Sequence, residues 1–117
     1  MLYVDFNAGG KDYKLRINTR ATVTLEKKLG CNPIAIFGEG DRIPTITEMV
    51  NILHSALQQY EHNITLDDTY DIFDSWLNDG HAATDFIPVI LEIYKTSGII
   101  KDKKGNKDEK ENNDEKN

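Results

Sequence analysis

The sequence predicts an α+β, mostly helical fold: an N-terminal β-hairpin packed on a bundle of about four helices, then a disordered charged C-terminal tail. Three observations lead there. Gly9-Gly10 sits between two segments of alternating apolar residues, capping motifs precede apolar stripes of helical period, and nothing apolar follows Ile100. A chain of 117 residues with 38% hydrophobic content suits a single globular domain over 1–100, large enough to bury a core without metal or disulfide staples.

The hairpin spans 2–17, LYVDFNAGGKDYKLRI. A two-residue turn at Gly9-Gly10 pairs Phe6 with Tyr13, Val4 with Leu15 and Leu2 with Ile17, which sets all six on one face. Paired glycines supply the positive φ angles of a tight turn. One apolar face must lie on something, so helices are expected beneath it.

Asn18 or Thr19 caps a first helix running to Leu29, with Ala21, Leu25 and Leu29 in one stripe and Gly30 as the stop. Asn32-Pro33 opens a short turn through Phe37, and 38–45 reads as loop. Thr45 and Glu48 form a capping box for a second helix, whose stripe is Ile46, Met49, Val50, Leu53, Leu57 and Tyr60. Thr65 and Asp68 repeat the box for a third helix ending near Gly80. Thr84 caps the last helix, with Pro88 near its first turn and Gly98 as the stop. Apolar residues cover so much of that last helix that it is expected at the centre of the bundle. Residues 101–117 have nothing to bury against the cost of ordering, and are expected to be a disordered polar tail.

Net charge is −6, unevenly spread. Residues 1–42 carry seven Lys/Arg against five Asp/Glu, whereas 43–100 carry Lys95 alone against nine. Phosphates would be repelled by the second half, so nucleic acid is a poor partner and a basic protein surface a better one. Self-association, basic end to acidic end, is also compatible with this split. The N-terminus lacks a signal-peptide pattern, and the longest apolar block, 86–91, is too short to span a bilayer. A soluble cytoplasmic protein with no membrane partner is expected. Cys31 has no partner for a bridge and reads as a small buried hydrophobe.

The most informative stretch is TLDDTYDIFDSWLNDG, residues 65–80, with five aspartates and no lysine or arginine. On a helical wheel Leu66, Tyr70, Phe73 and Leu77 converge, widened by Ile72 and Trp76, while Asp67, Asp71 and Asp74 gather on the opposite flank. An exposed flank lacks the burial that turns carboxylates into an acid–base pair. The stretch also lacks the central glycine and alternating ligands of a calcium loop. Asp67, Asp71 and Asp74 are therefore candidate partner-binding residues; catalytic, cofactor and metal sites are expected to be absent. His54, His62 and His81 are not at ligand spacing. A positive set (Lys11, Lys14, Arg16, Arg20, Lys27 and Lys28) belongs to no recognised nucleic-acid module. No nucleophile-elbow, zincin or phosphate-loop motif occurs, and a non-enzymatic binding module is the reading the residues give.

The phrases KLRINTRATVTLEKKLG followed by NP, and HSALQQY followed by ITLDDTYDIFD, extend that reading. Over roughly residues 2–100 the chain resembles the tail assembly chaperones of long-tailed phages and prophages of Gram-positive bacteria. The resemblance implies a protein that binds and solubilises the tape measure protein in the host bacterial cytoplasm. It also implies help in recruiting tail tube protein, and a frameshift near the end of the gene that extends some copies. No motif of binding residues transfers position by position. A structural tail or head–tail joining component, or a small acidic regulatory binding protein, are the alternatives.

Overall fold

The computed structural model describes residues 2–38 and 42–101. Beyond Lys101 the expected disordered tail lies outside the described residues. The fold is α+β and mostly helical, as expected: strands β1 (Val4–Ala8) and β2 (Lys11–Leu15), then helices α1 (Thr19–Leu29), α2 (Ile46–Leu57), α3 (Leu66–Asn78) and α4 (Phe86–Thr96). Short 3₁₀ turns occupy Pro33–Phe37 and Ala83–Asp85.

The strands pair antiparallel with Val4 opposite Leu15 and Phe6 opposite Tyr13, the expected register. Gly9 and Gly10 have φ of 61° and 82°, a turn that side-chain-bearing residues rarely adopt. A Cβ on Gly9 would also lie 3.2 Å from Ser75, because the turn rests on α3. The expected Leu2–Ile17 pair does not form. The Arg16 amide donates to the Ala56 carbonyl (3.0 Å) and the Ile17 amide to Ser97 Oγ (2.9 Å), so the chain leaves the ladder for the helices. Ile17 is thereby buried and Leu2 is left 71% exposed.

Local caps set the helix starts. Asn18 accepts from the Ala21 amide and Asn32 from the Ile34 amide, while Gly30 ends α1 in the left-handed region. Both capping boxes are complete: Thr45 with Glu48 at α2, and Thr65 with Asp68 at α3. Thr84 does not cap the last helix. It lies inside the 3₁₀ turn, where the Asp85 carboxylate accepts from the Ala82 amide (2.9 Å), and α4 starts only at Phe86. Its C-terminus closes with Ile99 N–H to the Tyr94 carbonyl (2.8 Å) and Gly98 N–H to the Lys95 carbonyl (3.2 Å), the paired bonds of a glycine-terminated helix.

The centre of the bundle is α2 rather than α4. It touches α1, α3, α4 and β2, and Met49, Val50, Ile52, Leu53, Ser55, Ala56 and Leu57 are all buried. In α4, which packs on α2 and β1, only Phe86, Ile90, Ile93 and Tyr94 are buried. Its remaining apolar residues, Ile87, Val89 and Leu91, are half-covered. The α2 stripe is shorter than expected: the helix ends at Leu57, leaving Ile46 at its start and Tyr60 beyond its end exposed. Cys31 is half-buried against the core rather than fully buried. Among the described residues, no helix is long and apolar enough to cross a membrane.

Candidate functional site

Helix α3 presents two chemically distinct sides. Thr69, Phe73 and Trp76 are buried, with Leu66, Ile72 and Leu77 packed against the core beside them. Trp76 lies at ring-centroid distances of 5.7 Å from Phe6, 5.8 Å from Phe73 and 5.6 Å from Phe86, so one aromatic cluster joins hairpin, α3 and α4. His81 stacks on Trp76, with ring centroids 4.2 Å apart and ring planes nearly parallel. That histidine is a packing group.

The outer side carries Asp67, Asp71 and Asp74, all exposed, where the sequence placed them. Tyr70 is a correction. Expected in the apolar stripe, it is 49% exposed, one helical step from both Asp67 and Asp74. The aromatic cluster draws Trp76 and Thr69 inward and rolls Tyr70 out among the carboxylates. The outer side is thus an acidic stripe with an aromatic ring set into it.

The remaining aspartates of this stretch have local work. Asp68 accepts from the Thr65 amide (2.9 Å), and that hydrogen bond, with the Thr65 side chain beside it, holds its carboxyl below the usual range. Asp79 accepts from the Gly9 amide (2.8 Å), fastening the hairpin turn to the end of α3. Among the described residues, the carboxylates of Asp67, Asp71 and Asp74 accept no such hydrogen bond. The ion pairs among the described residues are Lys11–Glu61, Arg42–Glu48 and Lys95–Glu92, none of which involves α3.

The basic residues of the N-terminal part do not form a single patch. Lys11 pairs with Glu61 (3.4 Å), and Lys14 lies over the rings of Tyr3 and Tyr60. Arg16 is half-buried and donates to the Leu2 and Thr96 carbonyls (3.0 and 2.8 Å), so it ties the N-terminus to the end of α4. Arg20 and Lys28 instead line a cleft between α1 and α2, together with His54 and His62. The sequence reading missed this meeting of residues. Its signal was two rows at i, i+4, i+8 spacing: Arg20, Thr24 and Lys28 in one segment, His54, Gln58 and His62 in the other.

Among the described residues no group of three His, Cys, Asp or Glu side chains is placed to hold a metal ion. Compared with known proteins, residues 5–117 match the model of a family of unknown function, DUF6096. No curated protein and no solved structure matches the chain.

Proposed function

The chain belongs to the DUF6096 family, whose function is unknown, and from its exposed acidic stripe we propose that it is a partner-binding protein rather than an enzyme, and from its sequence resemblance that it is a tail assembly chaperone. In this reading it holds the tape measure protein soluble in the host cytoplasm and helps bring in tail tube subunits. One observation carries the proposal: the stripe of Asp67, Tyr70, Asp71 and Asp74, which is exposed and has no cation partner among the described residues.

Carboxylates beyond the first turn gain little from the helix N-terminus, and like charges at this spacing cost roughly 0.2–0.5 kcal/mol per pair. Such a stripe suits lysines and arginines on a partner, and Tyr70 adds a ring over which a cation can sit. Tape measure proteins offer long amphipathic helices, which need a surface of this kind while unassembled. The sequence resemblance and the acidic stripe support the same reading and share residues, since the phrase ITLDDTYDIFD contains Asp67, Tyr70, Asp71 and Asp74.

The test is co-expression with the tape measure protein that this reading expects to be encoded nearby. Reversing Asp67, Asp71 and Asp74 together to lysine should reduce co-purification at least tenfold while circular dichroism stays unchanged. Undiminished recovery would reject this face as the contact. Failure of the unaltered chain to retain the tape measure protein would reject the chaperone reading itself. Presence of the protein in purified virions would favour a structural tail component instead.

A further inference from the structure

The cleft between α1 and α2 has the composition of an anion site. It is an open cleft of about 460 Å³, lined by Arg20, Lys28, His54, Ser55, Gln58 and His62 among others. No carboxylate is among the lining residues. Its volume falls within the range of small-molecule sites, roughly 300–1,000 Å³.

The hydrogen bonds leave donors in excess. Lys28 Nζ lies 3.3 Å from His54 Nδ1. An ammonium can only donate, so the ring is neutral there and carries its proton on Nε2. Burial, then the Lys28 charge, holds the His54 imidazole below its usual range, in keeping with that arrangement. Two of the three Lys28 N–H groups remain for a ligand. Gln58 donates to the His54 and Ile64 carbonyls (3.1 and 2.9 Å), and the Asn18 oxygen caps α1, so neither competes for these donors. The His62 ring is positioned by its Nδ1 contact with the Gln58 carbonyl (2.9 Å), which directs Nε2 elsewhere. No hydrogen bond of the Arg20 guanidinium is formed among the described residues. Ser55 sets a buried hydroxyl, 4% exposed, into the same lining.

We propose that this cleft binds a small molecule bearing a phosphate group, with Lys28 as the charge-pairing residue at the His54 end and Arg20 at the other. Lys28 and Arg20 are rooted two turns apart on α1, roughly 12 Å along the axis, and their long side chains can reach toward a ligand held between them. Phosphate is favoured because an ammonium with two N–H groups to spare and a guanidinium together match an anion with several acceptor oxygens. A long polyanion would extend past the cleft onto a surface whose 43–100 portion carries nine acids against Lys95. The cleft shares no residue with α3, and the proposal stands independently of the chaperone reading.

The full-length chain, isotope-labelled, would be titrated with inorganic phosphate at pH 7 and constant ionic strength, observing the histidine rings by NMR. We expect saturable shifts at His54 and His62, no comparable response at His81, and an upward displacement of the His54 titration midpoint. Arg20→Ala with Lys28→Ala should weaken binding at least tenfold; Lys14→Ala, on the hairpin, should leave it unchanged. Shifts that never saturate, that chloride reproduces, or that Lys14→Ala diminishes equally would overturn the proposal. Tighter saturation by a glutamate-rich peptide than by phosphate would overturn the ligand class.

Discussion

Helices α2 and α3 begin alike and end up in different environments. Each opens on a threonine whose hydroxyl accepts from the amide three residues on, while a carboxylate there returns the bond. Their lengths, 12 and 13 residues, are almost equal. Yet α2 buries seven residues and α3 only three. The difference lies downstream of the cap. After Glu48, α2 has no carboxylate or lysine, so any side can accept a neighbour; α3 has Asp71 and Asp74, which bar one side from the core. Caps decide that a helix starts. The distribution of charge after the cap decides whether it is interior or surface.

The largest test of that contrast is truncation of a buried residue in α2 and of an outer one in α3. Leu53, fully buried in α2, should cost about 2–5 kcal/mol on replacement by alanine. Tyr70→Ala, on the outer side of α3, should change stability by no more than about 0.5 kcal/mol. Chemical denaturation of both variants checks the pair. A Tyr70 effect as large as that of Leu53 would mean that the ring is core after all.

The two caps give the next effect. Thr45→Ala and Thr65→Ala should each lose about 1 kcal/mol, since each orphans an amide at a helix start. The boxes differ in their acid. At Glu48, burial alone would raise the pKa, but hydrogen bonding with Thr45 and the pairing with Arg42 (2.9 Å) outweigh it and leave the group below its usual 4.5. Asp68 is likewise held below 3.8 by its bonds with Thr65. Both folded pKa values are depressed, so this stabilisation is present above those usual values and is lost as pH falls through the folded ones. Thermal melts between pH 7 and pH 3 should therefore show an acid-side loss that Glu48→Gln and Asp68→Asn each flatten. A steeper acid limb in either variant would contradict the assignment.

Sequence reasoning reached further into local structure than into the site. The hairpin register, both boxes and the Gly30 and Gly98 stops follow from neighbours within a few residues, and all formed. What failed depended on partners distant in the chain. Leu2 lost its strand pairing because helix carbonyls and hydroxyls claimed the backbone of Arg16 and Ile17. Tyr70 left the apolar stripe because Phe6 and Phe86 drew Trp76 inward, rolling the buried sector by roughly 60° on the wheel. Asp67, Asp71 and Asp74 kept their exposed positions, since that rotation carries the buried sector away from them. The α1/α2 cleft was legible only as two separate rows, and no local rule says which rows of two helices will meet.

The smallest effect distinguishes a stripe kept for a partner from one kept for the fold. Asp71 has Asp67 four residues before it and Asp74 three after, both unfavourable neighbours. Asp71→Lys converts both pairs into attractive ones, with Asp67 placed N-terminal to the new lysine in the better orientation. The folded state should gain about 0.5 kcal/mol in low salt, and most of that gain should vanish in 1 M sodium chloride, where screening shortens to about 3 Å. A stabilised variant that binds its partner less well would mean the natural aspartate costs the fold something that only the partner returns. A destabilised variant would instead place Asp71 among the residues that hold α3, and the acidic stripe would lose its claim to a function beyond the fold.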